Sequence, residues 1–177
     1  MRARDSEVPP NTGNWSTVTT ARPQLAVSYV YEANPPGQPG TDIRGDTGLA
    51  ELTDGQLPPD GATWAYQQNA GFNGIEPRIR FDLGGLYKVA AIDVTAYWWP
   101  TNAVVSVSSD NITYSAATNY PLSATGYTTA TLDVSALGDA RYYRITFKGS
   151  GSWMFFSEVD FYPPAPTPPS GTLISFR

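Results

Sequence analysis

The chain contains no cysteine and no histidine. Disulfides, thiolate nucleophiles, imidazole acid–base catalysis, Ser-His-Asp triads and zinc held by His or Cys are all removed together. Positive charge is also scarce. Eleven Lys and Arg stand against 16 Asp and Glu, a formal net charge of −5, so the basic field that duplex DNA or an anionic membrane demands is missing and nucleic acid is not an expected partner. No segment approaches the roughly 20 apolar residues of a membrane span, and no membrane insertion is expected. The opening Met1-Arg2-Ala3-Arg4-Asp5-Ser6-Glu7 shows no apolar secretion signal, so export is either not encoded here or was encoded in a leader since removed. A phosphate-cradling glycine loop with its lysine is likewise absent. The acids fall in turns and on outward strand positions rather than as a pair across a cleft, which reads as non-enzymatic.

What the chain does have is turn formers and rings. Sixteen Gly, 16 Pro and 13% aromatics accompany only 15% charged residues over 177 positions, a mixture that suits many short strands in one domain. Period-two patterns bear this out. In Arg78-Ile79-Arg80-Phe81-Asp82-Leu83 the apolar residues take odd positions and the charges even ones, before Gly84-Gly85 breaks the run. Ala90, Ile92, Val94 and Ala96 read as inward, with Asp93 and Thr95 outward, until Pro100 ends the ladder. Ala103, Val105 and Val107 precede a Ser109-Asp110-Asn111 turn, and Ala130, Leu132 and Val134 follow the Gly126 turn. Tyr143, Ile145 and Phe147 alternate with Arg144, Thr146 and Lys148. Beyond Gly149-Ser150-Gly151, the residues Trp153, Phe155, Val159 and Phe161 complete what reads as a hairpin with an inward-facing Trp153 and Phe155.

Weaker strands near 26–31, 64–67 and 112–114 bring the count to about eight, predicting an all-β fold: a single jelly-roll β-sandwich of antiparallel strands. It should span 24–162, after an N-terminal extension at 1–23. Pro163-Pro164-Ala165-Pro166-Thr167-Pro168-Pro169 reads as an extended spacer, leaving 163–177 as a Pro-rich linker with an apolar tail. The tail Thr172-Leu173-Ile174-Ser175-Phe176-Arg177 is either the start of a further domain or an arm that docks on a neighbouring subunit or a second copy.

Three stretches taken together carry a family likeness: Glu51-Leu52-Thr53-Asp54-Gly55 with Trp64 downstream, Ile79-Arg80-Phe81-Asp82-Leu83-Gly84, and Arg141-Tyr142-Tyr143-Arg144-Ile145 followed by Ser157-Glu158-Val159-Asp160-Phe161-Tyr162. With Ser109 to Tyr114 between them, this ordered set resembles the discoidin, or coagulation-factor type C, family, whose bacterial members include galactose-binding-like carbohydrate-binding modules. The resemblance covers about 24–162. It implies a galactose-binding-domain-like sandwich and a structural calcium between the Asp-Gly loop and the last strand. Asp54 would then supply a carboxylate oxygen, Glu51 and Gln56 their backbone carbonyls, Ser157 its carbonyl and Glu158 its side chain, which is the oxygen-rich set a hard cation takes. The Thr usual in the family soon after Asp-Gly is replaced here by Leu57-Pro58-Pro59-Asp60-Gly61-Ala62, so the last ligand falls to Asp60 or a water. Read without the family, Asp54 is a turn residue bonding its own backbone and Glu158 a solvated outward position.

The same resemblance implies a binding surface in loops at one end of the sandwich, where Tyr97-Trp98-Trp99-Pro100-Thr101-Asn102 lies between two strands. Parity places Trp98 with the inward set and Trp99 outward, and an exposed indole beside polar side chains suits the C–H faces and hydroxyls of a sugar. Gln67, Gln68, Asn69, Asn73 and Arg78 are the polar partners nearby. The expected function is a non-catalytic carbohydrate-binding or adhesion module with structural Ca2+, part of a larger extracellular or cell-surface protein and binding a glycan. The alternative from a different class is a structural or assembly protein of a phage particle (a virion) or surface filament, in which the same sandwich makes protein–protein contacts and the tail mediates homo-oligomer formation.

Overall fold

The computed structural model describes residues 23–36, 45–46, 48–63, 65–66, 68–97, 100–123, 126–149 and 153–166. Nine strands are described: β1 Ser28–Ala33, β2 Ala70–Asn73, β3 Arg78–Lys88, β4 Ala91–Tyr97, β5 Asn102–Ser108, β6 Thr118–Pro121, β7 Thr128–Asp133, β8 Asp139–Lys148 and β9 Trp153–Tyr162. They form two antiparallel sheets, one of five strands in the order β1-β3-β8-β5-β6 and one of four in the order β2-β9-β4-β7. This is the all-β sandwich that the alternation implies. Among the described residues no helix is long and apolar enough to cross a membrane.

The core lies where the two inner faces meet. Ile79 and Phe81 from β3, Ala103 and Val105 from β5, and Tyr143, Ile145 and Phe147 from β8 are fully buried, the odd positions the sequence pattern marks as inward. Across from them stand Ile92, Val94 and Ala96 of β4 and Phe156, Val159 and Phe161 of β9. Tilted and edge-on ring pairs tie the sheets together: Phe147 to Phe156 at 4.5 Å, Phe81 to Phe161 at 5.1 Å and Tyr143 to Phe161 at 5.4 Å between centroids.

Four features differ from the sequence expectation. First, β8 and β9 do not form a hairpin, because β8 lies at the centre of the five-stranded sheet and β9 at the centre of the other. The two strands therefore belong to different layers. Second, a bulge in β9 pairs Thr95 with Glu158 but Ala96 with Phe156, so Ser157 is an extra residue. One inserted residue reverses side-chain parity. Met154 and Phe156 consequently join the core cluster while Trp153 and Phe155 lie outside it. Third, β3 runs through Gly84-Gly85, with its register to β8 shifting between Asp82 and Tyr87, and Gly84 adopts φ +74° there. Fourth, 112–114 is a bend running into coil and 65–66 a turn and coil rather than strands. The short strands are instead β2 and β6, four residues each at sheet edges, with β6 ending on Pro121.

Candidate functional site

Two groups of predicted residues can be located. The first is a clasp between the Asp-Gly loop and β9. Its anchor is Asp46, whose carboxylate accepts from the hydroxyls of Tyr29 and Tyr31 and from the Ala50 amide. Burial alone pushes the Asp46 carboxyl up, but hydrogen bonds with Glu51, Tyr29 and Tyr31 outweigh it and leave the group below its ordinary value. Leu52, fully buried, donates its N–H to the Tyr29 hydroxyl at 3.1 Å and accepts from the Val159 N–H at 2.8 Å. The loop is thus hydrogen-bonded directly to the last strand.

Glu158 sits under this loop at 1% exposure. Its Oε2 accepts from the Gly55 N–H at 2.8 Å, whereas Oε1 is buried with no hydrogen-bond partner among the described residues. Burial first, then the neighbouring Asp160 and Asp54 charges, pushes its carboxyl up to about 8. A solvated outward position is thereby ruled out. Asp54 is exposed and caps its own turn, accepting from the Gln56 N–H at 2.9 Å and Nε2 at 3.1 Å. Glu51 is half-buried, and the Ser157 hydroxyl reaches the Thr95 carbonyl at 3.4 Å. Asp60 is placed elsewhere. It lines a cavity of about 210 Å3 with Leu57, Thr95, Tyr127 and Thr129, whereas Asp54 and Gly55 line another of about 270 Å3 with Leu25, Val27 and Val159. No group of three or more acidic side chains arranged for a metal occurs among the described residues.

The second group gathers at the strand ends beside β4. Tyr97, at the last position of β4, is half-buried, pairs in register with Phe155 and packs its ring 5.0 Å from Tyr127. Tyr127 in turn meets Tyr66 edge-on at 6.4 Å, and Tyr66 donates its hydroxyl to Gln68. Trp153 stacks on Phe155 with 2° between planes. Asn69 is fully buried just before β2. Tyr127, not anticipated as a site residue, is central here; its position directly after Gly126 and just before β7, the strand beside β4, was the available signal.

Other predicted contacts lie apart or out of view. Arg78 is on the outer face of the five-stranded sheet, 3.4 Å from Glu32. Asn102 opens β5 and exchanges hydrogen bonds with Thr101 and Asn119 at 3.3 Å. Gln67, Trp98 and Trp99 lie outside the described residues, as do residues 1–22 and the apolar tail on which subunit docking rests.

No protein-family model and no curated protein matches this sequence. Solved structures do match it by shape. A truncated AlyQ with CBM32 and alginate lyase domains aligns over 86% of this chain at TM-score 0.58 and 21% identity; this chain covers 36% of that one, about a third of its length. CpGH89CBM32-5 from Clostridium perfringens, in complex with GalNAc-β-1,3-galactose, aligns over 79% of this chain and 99% of its own at TM-score 0.55 and 16% identity. The Streptococcus pneumoniae fucose binding module SpX-3 covers 80% and 96% at TM-score 0.51 and 12% identity. The galactose-binding-like sandwich expected from the motifs is therefore the fold this chain has.

Proposed function

We propose that the chain is a non-catalytic glycan-binding module whose saccharide site lies at the end of the sandwich marked by Tyr97, Tyr127 and Tyr66. The observation that supports this reading is the ring cluster itself. Three tyrosines gather beside β4, the first of them directly before Trp98-Trp99 in sequence, on a fold whose structural neighbours include modules solved with, or named for, sugars. Sugar C–H faces pack on such rings while the tyrosine hydroxyls and nearby amides supply directional partners. Extracellular or surface work within a longer protein accords with the AlyQ neighbour, where the matching module accompanies a lyase domain. Glycan-array binding should disappear in Trp99→Ala and weaken in Tyr97→Ala; silence on every sugar would overturn the reading.

A structural calcium belongs to the same proposal. Among the described residues nothing donates to the buried Oε1 of ionised Glu158, and an unmatched buried oxygen costs about 1–3 kcal/mol, a loss that a hard cation would offset. Glu158 and Asp54 would supply carboxylate oxygens, with backbone carbonyls of Glu51, Gln56 and Ser157 completing the set. Bound there, the ion would supply charge compensation that locks the loop to the last strand, and no chemistry. Calcium added to chelator-treated protein should raise the melting temperature, and Asp54→Ala should remove that rise.

A further inference from the structure

The outer face of the five-stranded sheet carries a separate cluster that nothing above uses. In its middle row the register aligns Val30, Arg80, Arg144 and Ser106 across β1, β3, β8 and β5. Two arginines directly opposite each other repel, so this placement is unfavourable unless each charge is matched. Arg144 is matched. It makes a two-point contact with Glu32 at 2.5 and 3.0 Å and lies 3.6 Å over the Tyr114 ring. Arg141 is matched as well, by Asp82 at 2.7 and 2.9 Å, with Tyr142 at 4.9 Å. Arg78 shares Glu32.

Of the four, Arg80 makes no ion pair among the described residues; its charge is felt by Asp82, which Arg141 already holds. Its guanidinium stands 5.8 Å from the Tyr142 ring, and its Nε is shielded from water without an acceptor among the described residues. Arg80 as a whole is half-buried, and among the described residues its Nε is the one guanidinium nitrogen shut off without an acceptor. Four arginines against Glu32 and Asp82 leave a local surplus of positive charge on a chain whose net charge is −5. The flanking row positions, Val30 at 36% exposure and half-buried Ser106, carry no competing charge.

We infer that this face is a second ligand surface, distinct from the ring-lined end, which takes the carboxylate or sulfate group of an acidic saccharide on Arg80. The planar guanidinium matches either oxyanion through paired hydrogen bonds, and Arg144 and Arg141, held by their own carboxylates and rings, fix the field around it. The choice of a saccharide rests on the glycan-binding reading; the choice of an anion rests on Arg80 alone.

Affinity gel electrophoresis of the full chain at low salt tests this with matched polymers: polygalacturonate against its methyl ester, and dextran sulfate against dextran. A charged polymer should retard the protein where its uncharged counterpart does not, and which charged polymer does so separates carboxylate from sulfate. Arg80→Gln should weaken that retardation about tenfold or more. Arg80→Gln removes one of two facing like charges, so its melting temperature should equal or exceed that of the parent. If it nevertheless unfolds, Arg80→Lys, which keeps the charge and loses the fork, should show the weakening. Undiminished retardation in both variants, no retardation by either charged polymer, or equal retardation by polyglutamate would each overturn the inference. Loss of neutral-sugar binding with anion binding retained would instead sink the ring-lined site and support this one.

Discussion

Replacing Glu158 by Gln should stabilise the chelator-treated protein at neutral pH and abolish its response to calcium. The side chain is 1% exposed, one oxygen has no donor among the described residues, and burial with the neighbouring Asp160 and Asp54 charges moves its carboxyl from an ordinary 4.5 to about 8. Because the folded value lies above the unfolded one, the folded protein holds a proton that the unfolded chain releases. Its contribution is complete below pH 4.5 and is lost as pH rises towards 8, at about 1.4 kcal/mol per pH unit. At pH 7 the loss is about 3 kcal/mol, equivalent to roughly 6–12 °C in melting temperature for a chain of this size. Glutamine keeps the shape, still accepts from the Gly55 N–H and carries no charge, so the variant should escape that loss. Burial also raises the neighbouring Asp160 carboxyl and keeps doing so in the variant, so melting curves in EDTA from pH 4.5 to 8 should show the parent falling more steeply than Glu158→Gln, with the variant above the parent by pH 7. Adding calcium should reverse the order by stabilising only the parent. A parent whose stability does not fall over this range in chelator, or a glutamine variant less stable than the parent at pH 7.5, would refute the reasoning.

Phe156→Ala should cost about 3–5 kcal/mol, since it empties the contact with Phe147 and Phe72 in the core. Phe155→Ala, equally shielded but outside the core cluster, should cost about 1.5–3 kcal/mol and weaken sugar binding instead; urea midpoints for the pair, at equal slopes, check the inversion. Gly84→Ala should destabilise by about 1–2 kcal/mol in the same assay through backbone strain at φ +74° alone, because nothing lies within 4 Å of the added carbon. The Thr113 and Ile112 amides hold the Asp110 carboxyl down to about 2. Its stabilisation is present above pH 3.8 and fades as pH falls towards 2, so Asp110→Ala should flatten the acid limb of the stability curve.

The strands that the sequence reveals are those with one wet and one dry face. Arg78 to Leu83 alternates because Glu32, Asp82 and their arginine partners lie on one side and the core on the other. β2 has no such contrast, being four residues with three of them buried and a glycine among them. The supposed hairpin at Gly149-Ser150-Gly151 misleads because turn residues announce a reversal and not the sheet that the chain rejoins. In β9 a single extra residue at Ser157 exchanges Phe155 for Phe156, which no periodic reading of so apolar a run reveals. Glu158 shows the limit for the site: alternation puts it in solvent, and only the family likeness pairs it with Asp54. Its burial arises because the loop anchored by Leu52 lies across it. Tyr127 was within reach as a ring following a glycine turn, but its neighbours become visible only once β7 is laid beside β4.

The brevity of β2 and β6, with a proline closing the latter, bears on how such molecules behave in a crowd. An open sheet border invites another polypeptide to add on, and four residues, closed in β6 by a ring without an N–H, provide too short a template for that. Copies held closely together, as on a densely decorated substrate, should therefore remain separate particles at those two borders instead of fusing into an extended sheet.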